Sequence, residues 1–264
     1  GLSGSSISLH TAFLGNPGTG KTTVARLMGE YFRALGVLKK GHIVEVTRAD
    51  LVAEFVGGTA VKTNKVIDRA LDGILFIDEA YSLAEGGDND FGKEAINILV
   101  DRMEKERDRL AVFLAGYTDR METFLKSNPG LSSRVPRKFY FKDYTGAELL
   151  QIFEMQLEKN QYAMDDECLK KMELYFNYLY DTRDEHFGNG RVVRNTLEKL
   201  IKAQSDRLAE EENVTYEMLK TITIEDIERA LPVKDITVTR DRLDSIMKDL
   251  DEFVGLRNIK EHIK

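Results

Sequence analysis

One cysteine in 264 residues, Cys168, excludes an internal disulfide. It lies in a helical pattern, where a lone thiol reads as a small buried hydrophobe rather than a nucleophile. No apolar run approaches the roughly 20 residues that a membrane-crossing helix needs, and the first residues lack the charged and apolar regions of a secretory signal. The chain is therefore expected to be cytoplasmic. Its four histidines, His10, His42, His186 and His262, are scattered without metal-ligand spacing and receive no chemistry. Positive charge is not in excess either. The 38 Lys and Arg against 45 Asp and Glu leave a net charge of −7, which argues against a nonspecific grip on nucleic acid or anionic lipid. An acidic balance does not exclude a protein partner.

A hydrophobic content of 42% over this length can bury a sizeable core of one or two domains. From Leu9 to about Phe141, short β-rich runs alternate with longer helical patterns, which predicts a parallel sheet with helices on both faces. The strands are expected at Leu9 to Leu14, Ile43 to Val46, Ile74 to Ile77, Ala111 to Ala115 and Lys138 to Phe141. Thr22 to Leu35, Ala60 to Leu71 and Phe91 to Arg107 repeat apolar residues every three or four positions, as amphipathic helices do. After Asp143 the strand signals stop. Helices are expected at Gly146 to Asn160, Asp165 to Tyr180, Arg191 to Glu211 and Ile224 to Ala230, before Pro232 ends the run. The expected organisation is an α/β domain over 1–142, an all-helical domain over 143–231, and a linker followed by a further helix over 232–264.

Two motifs carry chemistry. Gly15-Asn16-Pro17-Gly18-Thr19-Gly20-Lys21-Thr22 satisfies G-x-x-x-x-G-K-[ST] and falls between a strand and a helix, as a phosphate-binding loop must. Its glycines let backbone N–H groups face phosphate oxygens, and the helix N-terminus adds a favourable field. Lys21 is placed to reach the β- and γ-phosphates of ATP and Thr22 to ligate Mg²⁺, with Thr23 extending the binding segment. The apolar strand Ile74-Leu75-Phe76-Ile77 ends in Asp78-Glu79, where a parallel sheet presents a nucleotide site. Asp78 is expected to hold Mg²⁺ through a water and Glu79 to polarise the attacking water. An Asp-Glu turn after a buried strand is common by itself; paired with the phosphate loop it reads as hydrolytic.

The order of phosphate loop, Asp-Glu pair and helical unit resembles the AAA+ superfamily. More narrowly, GNPGTGKTTVAR, GILFIDEAYSLA, FGKEAINILV, LAGYTDRM and NPGLSSR resemble the subgroup containing stage V sporulation protein K and red-type rubisco activase. The resemblance runs from Leu9 to about Leu231, and the stretch EAYSLAEGGDNDFGKEAI leans toward the sporulation-protein side. It implies a P-loop NTPase sheet of five parallel strands followed by a helical lid. An arginine finger acting on a neighbouring subunit is implied at Arg134, with Arg137 in reserve, and a sensor 2 arginine at Arg191, with Arg194 one turn along. Phe55-Val56-Gly57 matches a pore loop that grips polypeptide; the alternative is that Phe55 packs beneath its loop. The strand ending Leu114-Ala115-Gly116 departs from the usual sensor 1 pattern, leaving Tyr117 or Thr118. The tail Asp251-Glu252-Phe253-Val254-Gly255-Leu256-Arg257-Asn258-Ile259-Lys260 resembles a family element that lies upstream of the first strand, so the chain is expected to run from one module into the opening of another.

The expectation that follows is a ring-forming ATPase, six modules by family analogy, built from itself or sister modules and acting on an unidentified protein substrate. A nucleic-acid motor or loader, and a nucleotide-gated scaffold, are the competing classes. The first would show basic pore loops or an added DNA-binding domain, neither of which is evident. Glu79 argues against the second.

Overall fold

The computed structural model describes residues 8–86 and 91–232. They divide into two units: the chain up to Asp143 together with Glu185–Asn189, and Tyr144–Asp184 together with the chain from Gly190 onward.

In the first unit, β1 (Thr11–Gly15), β2 (Ile43–Val46), β3 (Gly73–Ile77), β4 (Leu110–Gly116) and β5 (Arg137–Phe141) form one parallel sheet in the order β2-β3-β4-β1-β5. β1, β3 and β4 read TAFLG, GILFI and LAVFLAG, and every residue in them is buried. Such unbroken apolar runs are what a strand covered on both faces requires. The two-residue period of a strand sorts these side chains. Ala12, Leu14, Leu75, Ile77, Val112 and Leu114 enter a core on one face, while Phe13, Ile74, Phe76, Ala111, Phe113 and Ala115 enter the core on the other. α1 (Lys21–Ala34) closes the second core with Ala25 and Phe32. α3 (Gly58–Ala70) and α4 (Gly92–Lys105) close the first with Val66, Ile67, Ala95, Leu99 and Met103. β5, an edge strand, is exposed and carries Arg137 and Lys138.

Strand register sets where the site lies. Leu14 pairs with Gly116, Ile77 with Leu114 and Gly15 with Phe141, so the C-terminal ends of β1, β3, β4 and β5 share one edge of the sheet. The expected strands and long helices are found with ends shifted by up to three residues. The structure adds α2 (Arg48–Leu51), a 3₁₀ turn at Ala80–Ala84, α5 (Thr118–Ser127) and α6 (Pro129–Arg134). Most of these are too short for a helical period to register. α5 follows β4 with only Tyr117 between. α6 does carry a local start signal, since the Asn128 side chain accepts from the Leu131 N–H at 3.0 Å and Pro129 opens the helix.

The second unit is helical: α7 (Gly146–Lys159), α8 (Asp166–Asp181), α9 (Gly190–Leu208), α10 (Tyr216–Lys220) and α11 (Ile224–Ala230). Thr145 and Glu148 cap α7 reciprocally, and Asp165 caps α8 through the Cys168 N–H. Phe153 of α7 and Phe176 of α8 meet at 5.4 Å between ring centres. Cys168 is buried, and burial pushes its thiol up to about 12. α9 and α11 are joined by Arg207 and Asp226, whose two hydrogen bonds measure 2.8 and 2.9 Å with the Asp226 carboxylate fully buried. No helix among the described residues is long and apolar enough to cross a membrane. The expected linker and helix over 232–264, including the Asp251–Lys260 resemblance, lie outside the described residues except for Pro232.

Candidate active site

The loop between β1 and α1 turns on Gly18 and Gly20, whose φ angles of 73° and 89° lie in the left-handed region that a side chain disfavours. Thr19 is buried and its hydroxyl donates to the Asn16 carbonyl at 2.8 Å, closing the loop on itself. The Lys21 ammonium donates to the carbonyls of Gly15 (2.8 Å) and Asn16 (2.7 Å), which holds the cation over the loop. Thr22 is half-buried and Thr23 exposed in the first turn of a 14-residue helix, whose N-terminus favours anions. Of the loop residues, Asn16, Pro17, Gly18 and Gly20 keep part of their surface in solvent.

At the end of β3 the Asp78 N–H donates to Val46 at 2.9 Å, and its carboxylate accepts the Glu79 N–H at 3.1 Å. Glu79 is exposed and stands at φ 48°. A non-glycine residue held in that region costs on the order of 1–3 kcal/mol and persists where its surroundings over-determine it. Those surroundings are visible here: the Glu79 carbonyl accepts from Ser82 at 2.8 Å, and Ala80, Tyr81 and Leu83 of the 3₁₀ turn are buried. Burial, and the charge of Glu79 after it, raise the Tyr81 phenol above its ordinary value. The Tyr81 ring lies 6.3 Å from that of Tyr117 and 5.1 Å beneath the Arg120 guanidinium, and Tyr117 in turn meets His186 at 5.4 Å. Tyr117, the first residue past β4, therefore belongs to an aromatic cluster that starts two residues after Glu79, whereas Thr118 opens α5.

Sequence reading missed a polar support behind the phosphate loop. Asp143, two residues past β5, accepts from the Asn16 amide at 3.0 and 3.2 Å and from the Asn189 amide at 2.7 Å. Asn189 is fully buried, and its amide also lies 3.3 Å from the Pro17 carbonyl and 3.0 Å from that of Phe187. One carboxylate thus holds a loop side chain and the last residue of the 185–189 segment that packs with the α/β unit. The only sequence signal was the tripeptide Gly188-Asn189-Gly190, where a short polar residue between glycines tolerates the observed φ of 48°.

Comparison with known proteins agrees with this geometry. Residues 11–143 match the model of the ATPase family associated with various cellular activities, AAA, and residues 145–235 match the AAA lid domain. The chain belongs to the AAA ATPases. It is 47% identical to stage V sporulation protein K of Bacillus subtilis over 83% of its own length and 69% of that protein. It is 46% identical to the chloroplastic ribulose bisphosphate carboxylase/oxygenase activase of Cyanidioschyzon merolae over 86% of its own length and 78% of that protein. Among solved structures, the FIGL-1 AAA domain in complex with ADP superposes with a TM-score of 0.60 at 18% identity, covering 86% of this chain and 72% of that one, a likeness of fold.

The remaining positions singled out from the sequence fall in three places. Arg134 closes α6, with Nη2 3.3 Å from the Glu104 carboxylate of α4 and Nη1 3.2 Å from the Gly130 carbonyl. Its Nε is buried and has no hydrogen-bond partner among the described residues. The Arg134 carbonyl accepts from Ser8, and Arg137 pairs with Thr11 at the start of β1. Arg134 therefore lies at the opposite end of the strands from Lys21, Asp78 and Glu79. Arg191 and Arg194 are exposed in the first turns of α9, in the helical unit. Phe55 and Val56 are 69% and 86% exposed ahead of Gly57, which caps α3 at φ 79°.

Proposed function

We propose that this chain is a Mg²⁺-dependent ATPase module that assembles with copies of itself or sister modules into a ring, six being the expected number, and couples hydrolysis to threading or remodelling a protein. One observation carries the reading: the loop cation Lys21 and the pair Asp78–Glu79 share one edge of the sheet, while Arg134 stands at the other end. Five residue steps lead from His10 to Gly15, which at ~3.3 Å each is on the order of 17 Å. That span is beyond the reach of an arginine side chain, so Arg134 has work to do in this chemistry only in a neighbour's site. The name of the Cyanidioschyzon merolae relative, an activase, describes a protein that acts on another protein and fits the same reading.

The residues present suit Mg²⁺ held together with substrate phosphates. Among the described residues no cluster of three or more His, Cys, Asp or Glu side chains could hold a metal ion alone, and Mg²⁺ commonly takes only one or two protein ligands beside phosphate oxygens and water. Thr22 and, through water, Asp78 would be those contacts. When bound, the ion would neutralise charge that develops on the β- and γ-phosphate oxygens.

The protein's own part is positioning. The loop backbone from Asn16 to Gly20 directs N–H groups at the phosphates, and Lys21 exchanges its loop carbonyls for phosphate oxygens. Glu79, exposed at the end of β3, orients the water and accepts its proton as the γ-phosphoryl group transfers. Arg134 of one module and Arg191 of the lid add positive charge to the transition state, while Phe55, Val56 and Gly57 grip the client. ATP turnover by the chain and by Glu79→Gln, with nucleotide binding and assembly state recorded on the same samples, tests this. A fall of about a hundredfold or more with binding and assembly retained is expected. Turnover unchanged in Glu79→Gln would refute it, and stimulation by DNA rather than by protein would move the module to the nucleic-acid motors.

A further inference from the structure

Beside the Phe55 loop lies an open groove of about 1030 Å³, formed by α2, the segment that follows it, one face of α3 and Phe91. Its floor is apolar: Phe55 is 69% exposed and Val61 of α3 71% exposed. A Cβ on Gly58 would come within 2.5 Å of the Phe55 ring, so the ring rests on the bare backbone at the start of α3 while presenting most of its surface outward. The core does not account for this face of α3, because Thr63, Val66, Ile67 and Ala70 point the other way and are buried.

Around that apolar floor the charge is reversed from the chain as a whole. Arg48, Lys62 and Lys65 line the groove against a single anion, Glu54, in a protein of net charge −7. Lys62 donates to the Ala49 and Val52 carbonyls at 2.6 and 3.1 Å and so fixes the wall at the end of α2. Lys65, one turn further along α3, is exposed and forms no ion pair among the described residues. We infer that the groove selects extended polypeptide in which aromatic or aliphatic residues are interspersed with Asp and Glu. The inference rests on the reading of Phe55–Gly57 as a client-gripping loop and adds to it a charge preference. The apolar floor takes alternate side chains, and the cations meet the carboxylates between them. A nucleic acid fits less well, since Glu54 faces the groove and two of the three cations, Arg48 and Lys62, are engaged by backbone carbonyls, which leaves Lys65 as the cation that sets the preference.

Two unfolded random copolymers separate the possibilities, one of glutamate and tyrosine and one of lysine and tyrosine, with oligo-dT as a third probe. The overall charge of −7 favours the lysine polymer, and the groove favours the glutamate polymer, so the two ideas predict opposite orders. Binding to the assembled protein is read by fluorescence anisotropy at low and high salt, and ATP turnover is read in parallel. The glutamate polymer should bind about tenfold tighter at low salt, lose that advantage as salt is raised, and stimulate turnover. Phe55→Ala should weaken it, and Lys65→Glu should reverse the preference between the two polymers, which a merely structural role for Lys65 would not do. Tighter, Phe55-dependent binding of the lysine polymer or of oligo-dT overturns the acidic preference; with the lysine polymer the client-gripping reading survives. Binding or stimulation of any probe that ignores Phe55→Ala, or no binding of either polymer by a protein that turns over ATP, overturns both.

Discussion

Replacing Asp143 by alanine tests whether the phosphate loop is held from behind. The change deletes the acceptor of three contacts, two from the Asn16 amide at 3.0 and 3.2 Å and one from the buried Asn189 amide at 2.7 Å. A hydrogen bond to a charged group contributes about 1.5–3 kcal/mol. Asn189 keeps the carbonyls of Phe187 and Pro17, and half-buried Asn16 can turn to water, so the total should stay near that range instead of doubling it. For a unit of this size, about 2–4 °C of melting temperature accompanies each kcal/mol, which gives a fall of ~3–12 °C. Because the lost contacts hold Asn16 and sit against Pro17, about 1.4 kcal/mol of that cost should reappear as a tenfold weaker affinity for ATP. Asp143→Asn, which retains one oxygen acceptor, should fall between. Thermal unfolding followed by near-UV circular dichroism, paired with titration of a fluorescent ATP analogue, reads both quantities. An alanine variant that melts within about a degree of the parent and binds ATP equally well would refute the reasoning.

Acidification should act through His10. Burial pushes its imidazole below the ordinary 6.5, and the neutral ring accepts from the Val112 N–H at 3.0 Å while its other nitrogen donates to Met103 at 3.1 Å. Below pH 6.5 the unfolded chain then binds the extra proton, so this contribution to stability is complete above that pH and is lost as pH falls. Denaturant unfolding of the parent and His10→Gln across that window should show a stability difference that shrinks on acidification; a flat difference counts against it. In the helical unit, removing Asp226 leaves the guanidinium of Arg207 buried without its partner, so Asp226→Ala should cost about 3–5 kcal/mol, and adding Arg207→Met should recover much of the loss. Burial opposes the Asp226 charge, but the hydrogen bonds from Arg207 and Thr223 outweigh it and hold the carboxyl below its ordinary 3.8. The pair's stabilisation is therefore present above that pH and lost below it. A double variant that melts no higher than Asp226→Ala would contradict this account.

Sequence alone determined the elements and the chemistry whose physical basis is local. A buried strand announces itself by an unbroken run such as LAVFLAG, and a phosphate loop by glycines where the backbone must turn between strand and helix. Each signal sits within a few consecutive residues, so the phosphate-loop pattern, the Asp78–Glu79 pair at a strand end and the succession of sheet and lid could be read from the chain, the roles of Lys21, Asp78 and Glu79 being what is proposed for them. Tertiary structure decided what depends on distant segments meeting. It put β4 between β1 and β3, carried Arg134 to the far end of the strands, and set Glu79 into a left-handed conformation that no motif specifies. Asp143 reaches Asn16 across 127 positions and Asn189 across 46, and Asn189 reaches Pro17 across 172. Apart from the glycines that flank Asn189, nothing in the immediate neighbours of these residues marks such a support. Likewise, cations on α2 and α3 become one basic groove only when packing sets the two helices side by side, because charge is a local property of a sequence but an electrostatic surface is a property of the fold.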